Sequence, residues 1–352
     1  MSKERIKSID FCKGIAILLV VLGHATEHTN ASLSYDWLYK YIYSFHMPLF
    51  MFISGFVSYK NKYNWIDIKK RAYQLLVPFF VYQIIVSLIF SGNFSYTTWF
   101  YDIKSPGQFL WYLLILFYIT TVFTILNIIF FSRDKNDYIT NGVVANRKFD
   151  NKDIIIVLIT IVISGFCLFI APRVIKSTGY DYGLNLFSRF IIFFLLGLLT
   201  RKYFNENVKS FYLKWWWLWL VIWIVTSTVS LVMDSCHNNV IILEICDKLA
   251  AFSGTFMVFG LCLRYVKQDN NNKIVNMITQ LGTMTLGIYC IHRVLITKPL
   301  GHFLTDLGLS YALSMPLTFI GSMLFSVILV KIIEKCIILP QLLLGKVNVN
   351  KK

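Results

Sequence analysis

The first long apolar stretch of the chain carries the residue types of an acid–base site on one face. It opens Asp10-Phe11-Cys12-Lys13-Gly14 and closes Gly23-His24, with Glu27 and His28 just beyond. At about 100° per residue, the step from Lys13 to His24 leaves an angular offset of only about 20°, and Asp10 falls within about 40° of His24. The three polar residues therefore share a face, the cation lying roughly 16 Å along the axis from the imidazole. A histidine titrates near neutrality and can take a proton from a weakly acidic hydroxyl. Glu27, three residues on, is placed to hydrogen-bond His24 and set its tautomer. The bland alternative is an interfacial Asp10–Lys13 ion pair and a histidine satisfied within the core. A second polar set follows in Phe45-His46-Met47-Pro48, which places His46 at a depth similar to His24, with Ser54 and Gly55 deeper in the same stretch.

The elements that must hold these residues are dictated by composition. Of 352 residues, 57% are apolar and only 15% charged, whereas an average soluble domain carries about 25% charged residues. A soluble fold of this length could not hide so much apolar surface. The fold class expected is an all-α polytopic transmembrane bundle, because only helices and closed barrels satisfy every backbone polar group in lipid. Apolar stretches long enough for roughly 30 Å of hydrocarbon fall at about 10–27, 41–59, 73–91, 109–131, 153–171, 184–200, 214–233, 248–266, 278–297 and 310–333. The sixth is interrupted by Arg189, and the eighth starts at the polar pair Asp247-Lys248. Residues 1–340 read as one membrane-embedded domain and 341–352 as a short basic tail, with no repeat and no separate soluble domain. The polar, basic stretch 132–152 reads as a loop, and 62–72 as a short interfacial helix with a basic face.

About ten spans put both termini on one side. Loops on that side hold 26 Lys and Arg, against six in the opposite loops, so both termini are expected in the cytoplasm. The formal net charge of +16 has the same explanation, and no nucleic-acid partner is expected. Trp215, Trp216, Trp217 and Trp219, next to Lys214, suit an aromatic belt at the lipid interface. On this topology all six histidines (His24, His28, His46, His237, His292 and His302) fall in the outer half of the membrane or the outer loops, as do Arg189 and Arg293. Histidine spacing is read as giving no metal site. Ionisable groups inside a membrane are costly and mark functional positions by default.

These segments resemble, in order, the acyltransferase-3 family of integral membrane acyltransferases. The resemblance rests on Asp10, Lys13-Gly14-Ile15-Ala16 and His24, then on Phe45-His46-Met47-Pro48-Leu49-Phe50 through Ser54-Gly55-Phe56. Weaker matches are Phe109-Leu110-Trp111-Tyr112-Leu113, Arg189 with Phe193-Phe194-Leu195-Leu196-Gly197, and Leu281-Gly282-Thr283 through Ile291-His292. Many members carry Arg where this chain has Lys13, and Lys there is similar to the fucose 4-O-acetylase-like and intercellular-adhesion polysaccharide branches. Arg grips a phosphate with a planar fork, whereas Lys is a point charge.

The resemblance implies transfer of an acyl group, most often acetyl, from cytoplasmic acyl-CoA to a hydroxyl of a cell-surface or lipid-linked carbohydrate. The implied location is the inner membrane of a bacterium, with membrane lipid as surroundings and no bound cofactor beyond the acyl-CoA donor. The catalytic residues expected here are His24, Glu27, His46, Arg189 and His292. Asp10, Lys13, Ser54, Arg71, Trp111 and Arg293 would bind substrate, with Lys13, Lys69, Lys70 and Arg71 facing the donor phosphates. His24 would act as general base, or as a nucleophile forming an acyl-His intermediate. His46, Arg189, Trp111 or Arg293 would supply the oxyanion donor. The rival reading is a transporter or flippase for a polysaccharide or lipid-linked sugar. The acceptor sugar, the acyl group and the oligomeric state stay open.

Overall fold

A computed structural model of the chain describes residues 6–30, 36–91, 96–107, 109–131, 151–235, 240–268 and 271–346. His237, the loop over 132–150 and the end of the basic tail at 347–352 lie outside the described residues. The described residues form helices and no strand. In order these are α1 (Lys7–Thr29), α2 (Trp37–Ser58), α3 (Trp65–Ser91), α4 (Tyr96–Lys104), α5 (Trp111–Phe131), α6 (Asn151–Thr178) and α7 (Leu184–Lys202). Then come α8 (Glu206–Ser235), α9 (Val240–Tyr265), α10 (Lys273–Thr283), α11 (Thr285–Ile291), a π-helical turn (His292–Thr297), α12 (Lys298–Asp306), α13 (Tyr311–Lys335) and α14 (Leu339–Leu343).

Among the described residues eight helices are long and apolar enough to cross a membrane, or nine if one bent pair is a single span. The protein is an integral, multi-pass membrane protein. The all-α bundle is as expected, and two of the ten expected stretches differ from a simple span. The stretch expected at 248–266 is the helix α9, which runs from Val240 and is not among those eight. The stretch expected at 278–297 is not straight: it breaks between α10 and α11 with a bend of 67° and widens into the π turn. A third correction concerns 62–72, which is no separate helix, because Trp65 onward belongs to the continuous α3. The start of α3 is fixed by reciprocal capping: Asn64 Oδ1 accepts from the Asp67 N–H at 3.1 Å, and Asp67 Oδ2 accepts from the Asn64 N–H at 3.1 Å.

The chain divides into two compact units. The first comprises residues 1–53 and 206–332: α1, most of α2, α8 to α12 and most of α13. In it α8 lies along α9, and α1 packs on α10, α9 and α12. The α1–α10 approach is close because glycines meet backbone. A Cβ on Gly282 would stand 1.7 Å from Asp10 O, and one on Gly14 would stand 2.1 Å from Ile278 O. Small residues permit such contacts where lipid gives helices no hydrophobic reason to associate. Gly282→Ala is expected to cost at least about 2 kcal/mol, because backbone rather than a flexible side chain must move. Thermal unfolding of the purified variant reads this, and an unchanged midpoint would refute the packing.

The second unit comprises residues 54–205 and 333–352. Here α3 packs on α5 and α14, and α6 on α7. The α6–α7 contact carries a buried hydroxyl pair, Ser164 Oγ and Ser188 Oγ, 3.0 Å apart. On its other faces α6 exposes Leu158, Ile161, Val162, Phe166 and Phe169, the surface a lipid-facing helix presents.

Candidate active site

Within the first unit, the C-terminal turns of α1 meet α2 and the π turn around one carboxylate. Glu27 Oε2 lies 2.6 Å from His24 Nδ1 and accepts from the Tyr43 hydroxyl at 3.1 Å. Its other oxygen, Oε1, accepts from Arg293 Nη2 at 2.9 Å. A carboxylate only accepts, so His24 Nδ1 carries the hydrogen and Nε2 of the neutral ring holds the lone pair. The local part of this pairing is a helix property, since residues three apart are neighbours on one face. The remainder is tertiary. Successive residues of an α-helix diverge by about 100°, yet Arg293 reaches Glu27 while the His292 ring lies with its centroid 5.3 Å from that of His24. Both sit in the π turn, a widened geometry frequent at functional sites.

Around this core the aromatic contacts continue. Tyr43 stacks on Tyr39 with centroids 3.9 Å apart and meets His46 edge-on at 4.6 Å. His28 stacks near His24 at 6.4 Å and meets His302 at 5.8 Å. His46 and His292 are both buried. Each places Nδ1 against backbone carbonyls, Ile42 O for His46 and Ile288 O and Tyr289 O for His292.

Of the residues singled out from sequence, His24, Glu27, His46, His292 and Arg293 thus gather in one place. Asp10 and Lys13 belong to the same unit but pair with each other, Lys13 Nζ lying 3.0 Å from Asp10 Oδ1, which is the bland alternative stated above. Ser54, Arg71, Trp111 and Arg189 belong to the second unit. There Ser54 Oγ and Tyr112 Oη are 2.7 Å apart, and Arg71 donates to Ser58 Oγ at 2.8 Å. Trp111 stacks on Phe190 at 5.2 Å, and Arg189 is exposed beside the same ring. Arg71 also lines a small cleft with Lys60, Tyr63, Asp67, Thr120 and Phe194.

Tyr43 was not singled out from sequence. The available signal was its position three residues before His46, one helical turn away on the same face. The metal expectation overlooked a second signal. His24 and His28 stand four residues apart, and His24, Glu27 and His28 offer ligand atoms within 4.8 Å of one another. In that cluster Arg293 already supplies positive charge at Glu27, so the residues fit a hydrogen-bonded network better than a cation site.

The entrance to α2 is held by Asp36. Its carboxylate accepts from the Tyr39 N–H at 2.9 Å, from Asn30 Nδ2 at 2.7 Å and from the Tyr311 hydroxyl at 2.6 Å. It caps α2 and ties to it the end of α1 and the start of α13. Burial pushes the Asp36 carboxyl up, but these hydrogen bonds outweigh it and hold the group below the usual aspartate value. A depressed carboxyl contributes stability above its unfolded value, near pH 4, and loses it as pH falls through the folded value. Asp36→Asn is therefore expected to unfold more easily by about 1–3 kcal/mol near neutral pH. The gap to wild type should narrow below about pH 4. Melting curves in detergent across that range check it, and a pH-independent gap would contradict it.

An integral membrane protein with a histidine–carboxylate–arginine network at the junction of three helical segments is the class that fold and site define. The chain belongs to the acyltransferase-3 family: the family's model, described as an acyltransferase domain, matches residues 6–332. It is also similar to two curated proteins, each called nodulation protein NolL. One, from Mesorhizobium japonicum, is 42% identical over 88 residues, which cover 22% of this chain and 22% of that protein. The other, from Sinorhizobium fredii, is 33% identical over 140 residues, 35% of this chain and 37% of that protein. The chain thus matches well under half the length of either relative. No solved structure matches it.

Proposed function

We propose that the protein is a membrane-bound O-acyltransferase that moves an acyl group, in the first instance acetyl, from cytoplasmic acyl-CoA to a carbohydrate hydroxyl. The observation that carries this reading is the His24–Glu27–Arg293 network within the stretch that matches the acyltransferase family. A sugar hydroxyl attacks a thioester poorly until its proton is removed. His24 Nε2 takes that proton as the new C–O bond forms. The tetrahedral intermediate then collapses, the C–S bond breaks, and His24 returns the proton to the thiolate, so that an ester and a CoA thiol leave. Glu27 holds the imidazole in the required tautomer and stabilises it while charged, and Arg293 pairs with the other oxygen of Glu27.

In this reading the membrane is the inner membrane of a bacterium, and both termini face the cytoplasm, where the donor is made. Lys13 is the cation proposed for the donor phosphates, shared with Asp10. The test is to reconstitute the purified protein with radiolabelled acetyl-CoA and a polyol acceptor. Release of CoA thiol with labelled ester is the expected result. A transporter would yield neither, and their absence would overturn the reading.

A further inference from the structure

We propose that His292 is a positioning residue for the acceptor. Its Nε2 accepts a hydrogen bond from the hydroxyl next to the one that reacts, so the site selects vicinal diols over isolated alcohols. The inference rests on the acyltransferase reading and deepens it.

The His292 ring is oriented by groups that cannot donate. Its Nδ1 stands 2.9 Å from Ile288 O and 3.0 Å from Tyr289 O. Carbonyl oxygens only accept, so Nδ1 carries the hydrogen and the neutral ring has only a lone pair at Nε2. That nitrogen is buried and has no hydrogen-bond partner among the described residues, in a side chain 1% exposed. An unmatched buried acceptor is costly, and native structures rarely keep one without a use. The ring it belongs to lies in contact with the proposed base, with centroids 5.3 Å apart and planes inclined by 38°.

The two imidazoles are thus matched. Each has Nδ1 fixed by an acceptor, Glu27 on one side and main-chain carbonyls on the other. Each therefore offers a lone pair at Nε2. A hydroxyl reaches such a nitrogen over about 2.8 Å, so neighbouring hydroxyls of one small ring can engage both. The hydroxyl at His24 gives up its proton and is acylated. The hydroxyl at His292 keeps its proton and fixes the acceptor's orientation, the kind of positioning that turns an encounter into a reactive geometry. An acceptor lacking the second hydroxyl would leave Nε2 of His292 unpaired in a closed site, the situation in which polar sites discriminate most strongly.

The experiment uses the full chain in nanodiscs, radiolabelled acetyl-CoA and three small acceptors: cis-1,2-cyclohexanediol, trans-1,2-cyclohexanediol and cyclohexanol. The wild type is expected to acylate at least one diol about tenfold or more faster than cyclohexanol at low acceptor concentration. In His292→Phe, which keeps ring volume but has no acceptor, the KM for that diol rises and the preference falls to about one. His292→Gln, with an amide oxygen, restores part of it. A wild type that acylates diol and cyclohexanol equally overturns the proposal without any variant, as does an undiminished preference in His292→Phe. If His292→Phe does not fold, the wild-type ratio and His292→Gln decide. Absence of transfer to all three acceptors, with no CoA thiol released, instead removes the acyltransferase reading and this proposal with it.

Discussion

His24→Ala is expected to lower acyl transfer by at least about 10²-fold, the lower end of what a positioned general base supplies. The variant should still fold. His24 is partly exposed, with 14% of its side chain accessible, and the helix around it is held by the glycine contacts of α1 with α10. Its loss leaves Glu27 paired to Arg293 and Tyr43, so no buried charge is stranded. The measurement is the rate of labelled ester formation, with thermal unfolding of the same sample as a control for folding. A well-folded His24→Ala with wild-type turnover would sink the assignment. The two mechanisms separate in the same assay: a labelled acyl-His24 protein isolated from wild type without acceptor would make the histidine a nucleophile rather than a base.

Glu27→Gln is the second large effect, again a loss of about 10²-fold or more. The amide keeps the shape but removes the charge, and its NH2 group can face the ring. The Nδ1–H tautomer is then no longer imposed, and the imidazolium formed during proton transfer loses its counter-charge. Changes of this kind to a carboxylate behind a catalytic histidine have cost up to about 10⁴-fold in serine proteases. Because His24 and Glu27 act as one unit, the double variant His24→Ala/Glu27→Gln should be little worse than His24→Ala alone. Independent, multiplicative losses would show that Glu27 acts elsewhere. Glu27→Gln also deprives Arg293 of an ion-pair partner in a partly buried setting, so a drop in melting temperature is expected with the loss of activity. Arg293→Gln should lower the rate less, since it leaves the carboxylate–imidazole contact in place.

Much of the architecture was readable without coordinates. Composition fixed the membrane class, because 57% apolar residues in 352 cannot be sheltered by a soluble fold. Apolar run length located α1, α2, α5, α7 and α13 to within about four residues at each end, since one long, continuous apolar segment per crossing is what a bilayer demands, but fell seven or eight residues short at the start of α3, the end of α6 and the start of α8. Where it erred, the cause was local. The run over 278–297 has the composition of a span, and a hydropathy pattern does not register a bend at Thr283–Thr285. Asn64 and Asp67 form a cap visible in sequence that would have shown α3 starting at Trp65.

The site divides in the same way. The His24–Glu27 pair followed from spacing alone, because side chains three apart on a helix touch whatever else the chain does. The face shared by Asp10, Lys13 and His24 followed likewise, although the structure pairs the first two with each other. Nothing local places Arg293 against Glu27, some 266 positions away in the chain, or sets Tyr43 and His292 around the same imidazole. Those contacts depend on the Gly14 and Gly282 approach of α1 to α10, on the 67° break that follows it and on the π turn that swings His292 and Arg293 toward α1. Sequence determined the elements and the two-residue seed of the site, since helix formation and apolar burial act over short stretches of chain. Which side chains complete that seed was decided by tertiary packing, since inter-helix distance and rotation are set by contacts between residues far apart in sequence.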